Sequence, residues 1–207
     1  MTPDLMATAL APIVSWRAAE PAVRSDFDLN PDMTPPGGDV VEAAVLVVLA
    51  QAAAGPEVIL TRRADTLARH TGQIAFPGGR LDPGETAVEA ALREAWEEVG
   101  LSPDDVSLLG LGDRYRTGTG YLVTPVVAWA DAPPRLTPSP AEVAEIFAVP
   151  WAHLVDPANR RRDHYELEGV RRHFWSIDWR NRVIWGATAG MIVALADRLA
   201  GRAERAA

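Results

Sequence analysis

Residues 40–50 read Val-Val-Glu-Ala-Ala-Val-Leu-Val-Val-Leu-Ala, a run too apolar to alternate between a wet face and a dry one. Such a segment is a strand buried at the centre of a sheet. Gly55-Pro56 punctuates it, and residues 57–62 read as a second strand joined to the first by a hairpin. Further strands are expected at 106–112, 121–130 and 143–149, separated by Gly- and Pro-rich turns. Residues 165–168 and 171–177 read as a small hairpin turning at Glu168-Gly169.

Helices fill the gaps. Residues 4–14 are weakly amphipathic, 151–155 suggest a turn or two, and 184–199 read as a terminal helix. The clearest helix lies near the middle. Thr86-Ala87-Val88-Glu89 has the spacing of a capping box, and Gly100-Leu101 supplies a left-handed cap with an apolar residue after it. The plan is α+β, an αβα sandwich around a mixed sheet in a single domain. Residues 1–38 form an N-terminal extension, and the domain proper spans 39–203.

Composition narrows the function. The 207-residue chain suits one domain, and its net charge of −8 argues against wrapping nucleic acid or sitting on an anionic membrane. No cysteine is present, which removes disulfides, thiolate metal sites and cysteine nucleophiles together. No basic segment followed by an apolar run opens the chain, and the longest apolar stretch falls short of the roughly 18 residues a spanning helix needs. A cytoplasmic protein is expected, and a homodimer is compatible with the sequence.

The chemistry sits on the central helix. At 100° per residue, Val88, Ala91, Leu92, Ala95 and Val99 share one face, which is expected to be the core side. Glu94, Glu97 and Glu98 fall within an arc of about 100° along the edge of that stripe. Like charges at i, i+3 and i, i+4 destabilise a bare helix by roughly 0.2–0.5 kcal/mol per pair. The nearest cation in sequence, Arg93, falls on the opposite flank of the wheel. A hard divalent cation would turn the repulsion into binding, and Mg²⁺ or Mn²⁺ suits an all-carboxylate site. The alternative is a solvated acidic face. Against it stands the preceding loop, Pro77-Gly78-Gly79-Arg80-Leu81-Asp82-Pro83-Gly84-Glu85, whose glycines allow close backbone approach to a ligand.

Gly79, five residues, Glu85, seven residues, then Arg93-Glu94-Ala95-Trp96-Glu97-Glu98-Val99-Gly100-Leu101 closely resembles the Nudix box, departing only in the small Ala95 at its first apolar slot. The resemblance implies a Nudix-type fold and cleavage of an X-diphosphate bond by a metal-activated water. It implies that Glu94, Glu97, Glu98 and the Gly79 carbonyl ligate Mg²⁺ or Mn²⁺, and that Glu85 and Arg93 pair to brace the loop. Glu97, Glu98 and Glu142, the last just before a strand, are the candidate catalytic carboxylates. Glu145 is a weaker candidate for the role of Glu142.

The segment 60–79, with Arg62, Arg63, Arg69, His70, Gln73 and the sequence Phe76-Pro77-Gly78-Gly79, is similar to the extra motif of the coenzyme A pyrophosphatase branch. Ala64 stands where that motif has serine, and Ala68 where it has arginine. Further similar stretches carry the likeness over about residues 40–200. The resemblance implies a small-molecule substrate, coenzyme A or a related nucleotide diphosphate, read by Arg62, Arg63, Arg69, His70 and Gln73. Cationic donors there suit its phosphates. The plainer reading of each arginine is a surface ion pair, of His70 a packed structural role, and of Gln73 a loop-orienting one. Two other functions remain open: hydrolysis of another nucleoside diphosphate derivative such as ADP-ribose, and nucleotide binding without turnover.

Overall fold

The computed structural model describes residues 2–10, 12–13, 23–64, 72–167 and 169–206. Its main sheet is built on β2 (Val41–Ala52), which pairs in parallel with β8 (Tyr121–Ala130) over ten residues. On the other side β2 meets β3 (Gly55–Arg63) antiparallel, but only from Leu49 to the hairpin. Before Leu49 the neighbour is instead β5 (Gly78–Arg80), which pairs with residues 43–45. β3 thus parts from β2 and continues against β4 (Ile74–Ala75) and β9 (Val143–Pro150). That splay places the end of β3, the glycine segment of β5 and the start of β9 around one opening.

The sheet is completed by β6 (Ser107–Leu111) and β7 (Arg114–Arg116) against β8, and by β1 (Val23–Ser25), parallel to β7. Parallel and antiparallel pairs coexist, so the sheet is mixed. β2 is buried on both faces. Ala44, Leu46, Val48 and Ala50 pack with α2 (Ala87–Val99), while Val47 and Leu49 pack with the opposite layer. At about 1.5–3 kcal/mol per fully buried Val or Leu, this strand contributes apolar burial to both layers of the core.

The opposite layer holds α4 (Gly186–Ala206), the short α3 (Trp151–Val155) and a three-stranded sheet of β10 (Arg160–Leu167), β11 (Val170–Trp179) and β12 (Arg182–Trp185). The N-terminal α1 (Pro3–Ala9) is covered on its Met6 and Ala9 side. The architecture is an αβα sandwich in one domain, of α+β class.

Three details differ from the sequence expectations. The apolar run from 184 starts as a strand, because the Trp179–Arg182 hairpin pairs Ile184 with Ile177 and Gly186 (φ 64) then breaks the extended chain. The terminal helix therefore begins at Gly186 and runs on to Ala206. In α2 the buried face is Ala87, Ala90, Ala91, Ala95, Glu98 and Val99, with Val88 and Leu92 only partly buried. The smallest side chains let the helix approach the sheet most closely, so the stripe is turned away from its bulkiest members. Finally, the first helix ends at Ala9, where Leu10 is extended (φ −88, ψ 159). Among the described residues, no helix is long and apolar enough to cross a membrane.

Candidate active site

α2 is fixed at both ends by local chemistry. The Thr86 hydroxyl accepts the Glu89 N–H (3.3 Å) and Glu89 Oε2 accepts the Thr86 N–H (2.8 Å), satisfying two orphan donors. Gly100 ends the helix in the left-handed region, with its N–H on the Trp96 carbonyl and the Leu101 N–H on Ala95. The last carbonyls are also used. Glu98 O accepts the Ser139 N–H (2.8 Å) and Val99 O accepts the Thr137 N–H (2.9 Å). The Pro-rich loop before β9 is thereby tied to the helix, and it delivers Glu142 beside the carboxylates.

Glu98 is the buried member, with its side chain 5% exposed. It accepts the Gly78 N–H at 3.1 Å and lies 3.7 Å from Arg63 Nη1. Burial pushes its carboxyl up to about 7, helped by the charges of Glu94 and Glu142, while the Gly78 N–H and Arg63 pull it back down. Glu94, 17% exposed, is also raised, chiefly by burial, with Glu97 and Glu142 adding repulsion and Arg93 opposing. Glu97 is solvent-facing.

Glu85 and Arg93 form a two-bond pair, Nε to Oε1 at 2.8 Å and Nη2 to Oε2 at 2.9 Å. Arg93 Nη2 also donates to the Arg80 carbonyl, and Glu85 accepts the Asp82 N–H. This links the glycine loop to the helix. Contrary to the helical-wheel expectation, Arg93 is not on a separate flank: its Nη1 donates to Glu94 (3.0 Å) and lies 3.4 Å from Glu97. The long side chain folds back over a full turn, which a wheel of Cα directions cannot show.

The glycines at 78 and 79 let the loop backbone lie close to its neighbours. A Cβ built on Gly79 would overlap the Glu94 carboxylate, and one on Gly78 would overlap Ala44 O and Val45. The loop backbone therefore lies directly on the acidic side chains. With Glu94 and Glu97 turned to Arg93, no three acidic or imidazole side chains among the described residues are gathered at ligand geometry. The donor set nonetheless fits a hard cation. Its donors are all oxygen, a cation's charge would offset the burial that chiefly raises Glu98, and its glycine leaves no Cβ between the backbone and Glu94.

Arg62 and Arg63 stand together at the end of β3. Arg63 faces Glu98, and its Nε is buried without a hydrogen-bond partner. Arg62 Nε lies 3.7 Å from Glu145, which is also bonded to Arg182. Glu145 is thus committed to arginines of β3 and β12. Gln73 contributes its carbonyl to the Arg63 N–H (2.9 Å). Arg69 and His70 lie outside the described residues. Sequence reasoning missed the Gly78 N–H as a partner of Glu98 and Arg63 as its counter-charge; the paired glycines of the loop were the available signal.

Against known proteins, the family model described as NUDIX domain matches residues 41–168. A Pectobacterium atrosepticum protein described as an uncharacterized Nudix hydrolase NudL is 39% identical over 152 residues, covering 71% of this chain and 77% of that one. A protein of the same description from Cronobacter sakazakii is 37% identical over 171 residues, 81% of this chain and 88% of its own. A crystal structure of a MutT/nudix family protein from Enterococcus faecalis matches with a TM-score of 0.50 and 15% identity, over 81% of this chain and 65% of that one, a likeness of fold. By family model and relatives together, the chain belongs to the Nudix hydrolases.

Proposed function

We propose that this Nudix hydrolase cleaves the pyrophosphate of coenzyme A, with water attacking phosphorus and 3′,5′-ADP and 4′-phosphopantetheine leaving. The observation that carries the reading is the meeting of two motifs at one opening: Arg63 of the upstream segment lies 3.7 Å from the buried Glu98 of the box. Glu94 and Glu98 would hold Mg²⁺ or Mn²⁺, with Glu97 at the outer edge; the Gly79 carbonyl, expected as a further ligand, is turned toward Ala44 of β2 by the alternation of the ladder. Such a cation, when bound, lowers the pKa of water and offsets charge on the phosphates.

The protein's own groups do the rest. Gly78 and Arg63 fix the rotamer of Glu98, and Arg93 with Glu85 holds the glycine loop against α2. Glu142, exposed and beside Glu94 and Glu98, takes the proton of the attacking water. Arg62 and Arg63, joined by Arg69 and His70, bind the substrate phosphates. The coenzyme A assignment is supported by the similarity of residues 60–79 to that branch's motif and by the approach of its Arg63 to Glu98.

Two measurements test it. Glu98→Gln keeps volume and removes charge, and kcat should fall by orders of magnitude in a folded protein; near-normal turnover at saturating Mg²⁺ would sink the metal assignment. Substrate choice is read by comparing coenzyme A, dephospho-coenzyme A and ADP-ribose. An arginine on the 3′-phosphate loses roughly 1.5–3 kcal/mol on coenzyme A when changed to Ala, and almost nothing on dephospho-coenzyme A. Outright preference for ADP-ribose would reject coenzyme A while leaving the hydrolase chemistry standing.

A further inference from the structure

β10 is an edge strand with an open hydrogen-bonding side. The hairpin it forms with β11 closes at Leu167↔Val170 around a two-residue turn with Gly169 at φ 76. In such a hairpin the closing pair exchanges both backbone bonds, so Leu167, Tyr165, Asp163 and Arg161 point their N–H and C=O groups at β11. The alternate residues, Arg162, His164 and Glu166, point theirs away. An independent contact fixes the same alternation. His173, opposite His164, turns its N–H and C=O to the other edge of β11, where the Asn30 amide takes both (2.7 and 2.9 Å).

The two edges of β11 are thus treated differently. One is closed by Asn30 and β12; the other is covered by β10, whose own outer side has no backbone partner among the described residues. Residues 164–167 are all exposed, Tyr165 at 47% and Leu167 at 53%. Exposed edges are commonly blunted by charge, proline or a bulge. Here there is no proline or bulge, and the charges have a particular order: Arg-Arg-Arg-Asp-His-Tyr-Glu-Leu.

We propose that β10 pairs antiparallel with β10 of a second copy of this chain, about a two-fold axis through His164. A two-fold axis normal to the sheet keeps both copies the same face up, so only registers that pair odd with odd and even with even residues are allowed. Centring on Asp163 sets that carboxylate against its own copy, centring on Arg162 sets guanidinium against guanidinium, and centring on Tyr165 overlaps only residues 163–167 of each strand. Centring on His164 sets Arg162 opposite the partner's Glu166 twice, Asp163 opposite the partner's Tyr165 twice, and Arg161 opposite the partner's Leu167. The hydrogen-bonded pairs are then Arg162 with Glu166, His164 with His164 and Glu166 with Arg162, about six backbone bonds in all. These are the residues whose groups already point outward. The two three-stranded sheets become one of six strands. The active site at the opening between β3 and β5 takes no part, so this pairing is independent of the substrate assignment. A seam of this length makes a concentration-dependent dimer rather than an obligate one.

The test is sedimentation equilibrium of the full chain over a wide concentration range, with far-UV circular dichroism and thermal melts to confirm folding. Wild type should pass from one copy to two as concentration rises. Glu166→Arg and Arg162→Glu each set like charges across the seam and should leave a monomer. The double variant Arg162→Glu, Glu166→Arg restores opposite charges and should dimerise again. His164→Pro removes an N–H that the hairpin itself does not use and should also be monomeric. A wild type that is monomeric throughout would overturn the proposal. So would a dimer indifferent to charge reversal or to His164→Pro, or single variants that the double swap does not rescue.

Discussion

Glu94 and Gly79 occupy complementary space: the carboxylate lies where any other residue at 79 would carry its Cβ. Gly79→Ala should therefore displace Glu94 without unfolding the sheet, since residue 79 keeps its backbone pairing with Ala44. Loss of kcat by about tenfold or more is expected, the equivalent of roughly 1.4 kcal/mol of transition-state stabilisation. Gly37→Ala, with nothing within 4 Å of the added carbon, is the control and should behave as wild type. Equal activity in both variants would show that the close approach is irrelevant to catalysis. At this scale the sequence was informative about residue type and spacing but not about depth. The three glutamates of the box look equivalent on a wheel, yet Glu98 is buried, Glu94 partly so and Glu97 open. What separates them is the rotation of α2 on the sheet, set by which alanines fit beneath it.

Between the glycine loop and α2, the element-level bond is the Glu85–Arg93 pair. The helix itself was legible, because capping box and glycine cap are local signals whose partners are three to five residues away. The Glu85–Arg93 brace was foretold only through the family resemblance, and the further reach of Arg93 to Glu94, Glu97 and the Arg80 carbonyl, across more than a turn, was not legible. Arg93 holds the Glu85 carboxyl below its ordinary range. The folded state thus binds this proton less readily than the unfolded chain. The stabilisation is present in full above the ordinary carboxylate pKa and is lost as pH falls through the depressed folded value. Glu85→Gln should accordingly melt below wild type near neutral pH, and the gap should close as pH drops below about 4. A gap that persists unchanged into acid would mean the pair contributes by packing rather than by charge.

Over the whole molecule, the sandwich follows from one strand being buried on both faces, which is why residues 40–50 already foretold layers on either side. The strand order was not legible. The parallel pairing of β2 with β8 joins residues about eighty positions apart, and β1 with β7 is comparably distant, so neither leaves a periodic trace in the sequence. The same long-range assembly gathers Glu94 and Glu98 of α2 and Glu142 of the loop before β9 into one place, where burial first and the neighbouring charges second raise the proton affinity of Glu94 and Glu98. A fold that holds carboxylates together against their repulsion is stabilised by whatever neutralises them. Mg²⁺ or Mn²⁺ should therefore raise the melting temperature of wild type, because the unfolded chain keeps these glutamates apart and binds the ion weakly. At a hundredfold excess over Kd the stabilisation is about 2.7 kcal/mol. The Glu94→Gln, Glu98→Gln protein starts with less repulsion, so its melting temperature without metal should match or exceed that of wild type, and it should gain little on adding the ion. Both halves are needed. An equal metal-dependent rise in the two proteins would assign the ion to the remaining surface of a chain carrying a net charge of −8, and not to the cluster on α2.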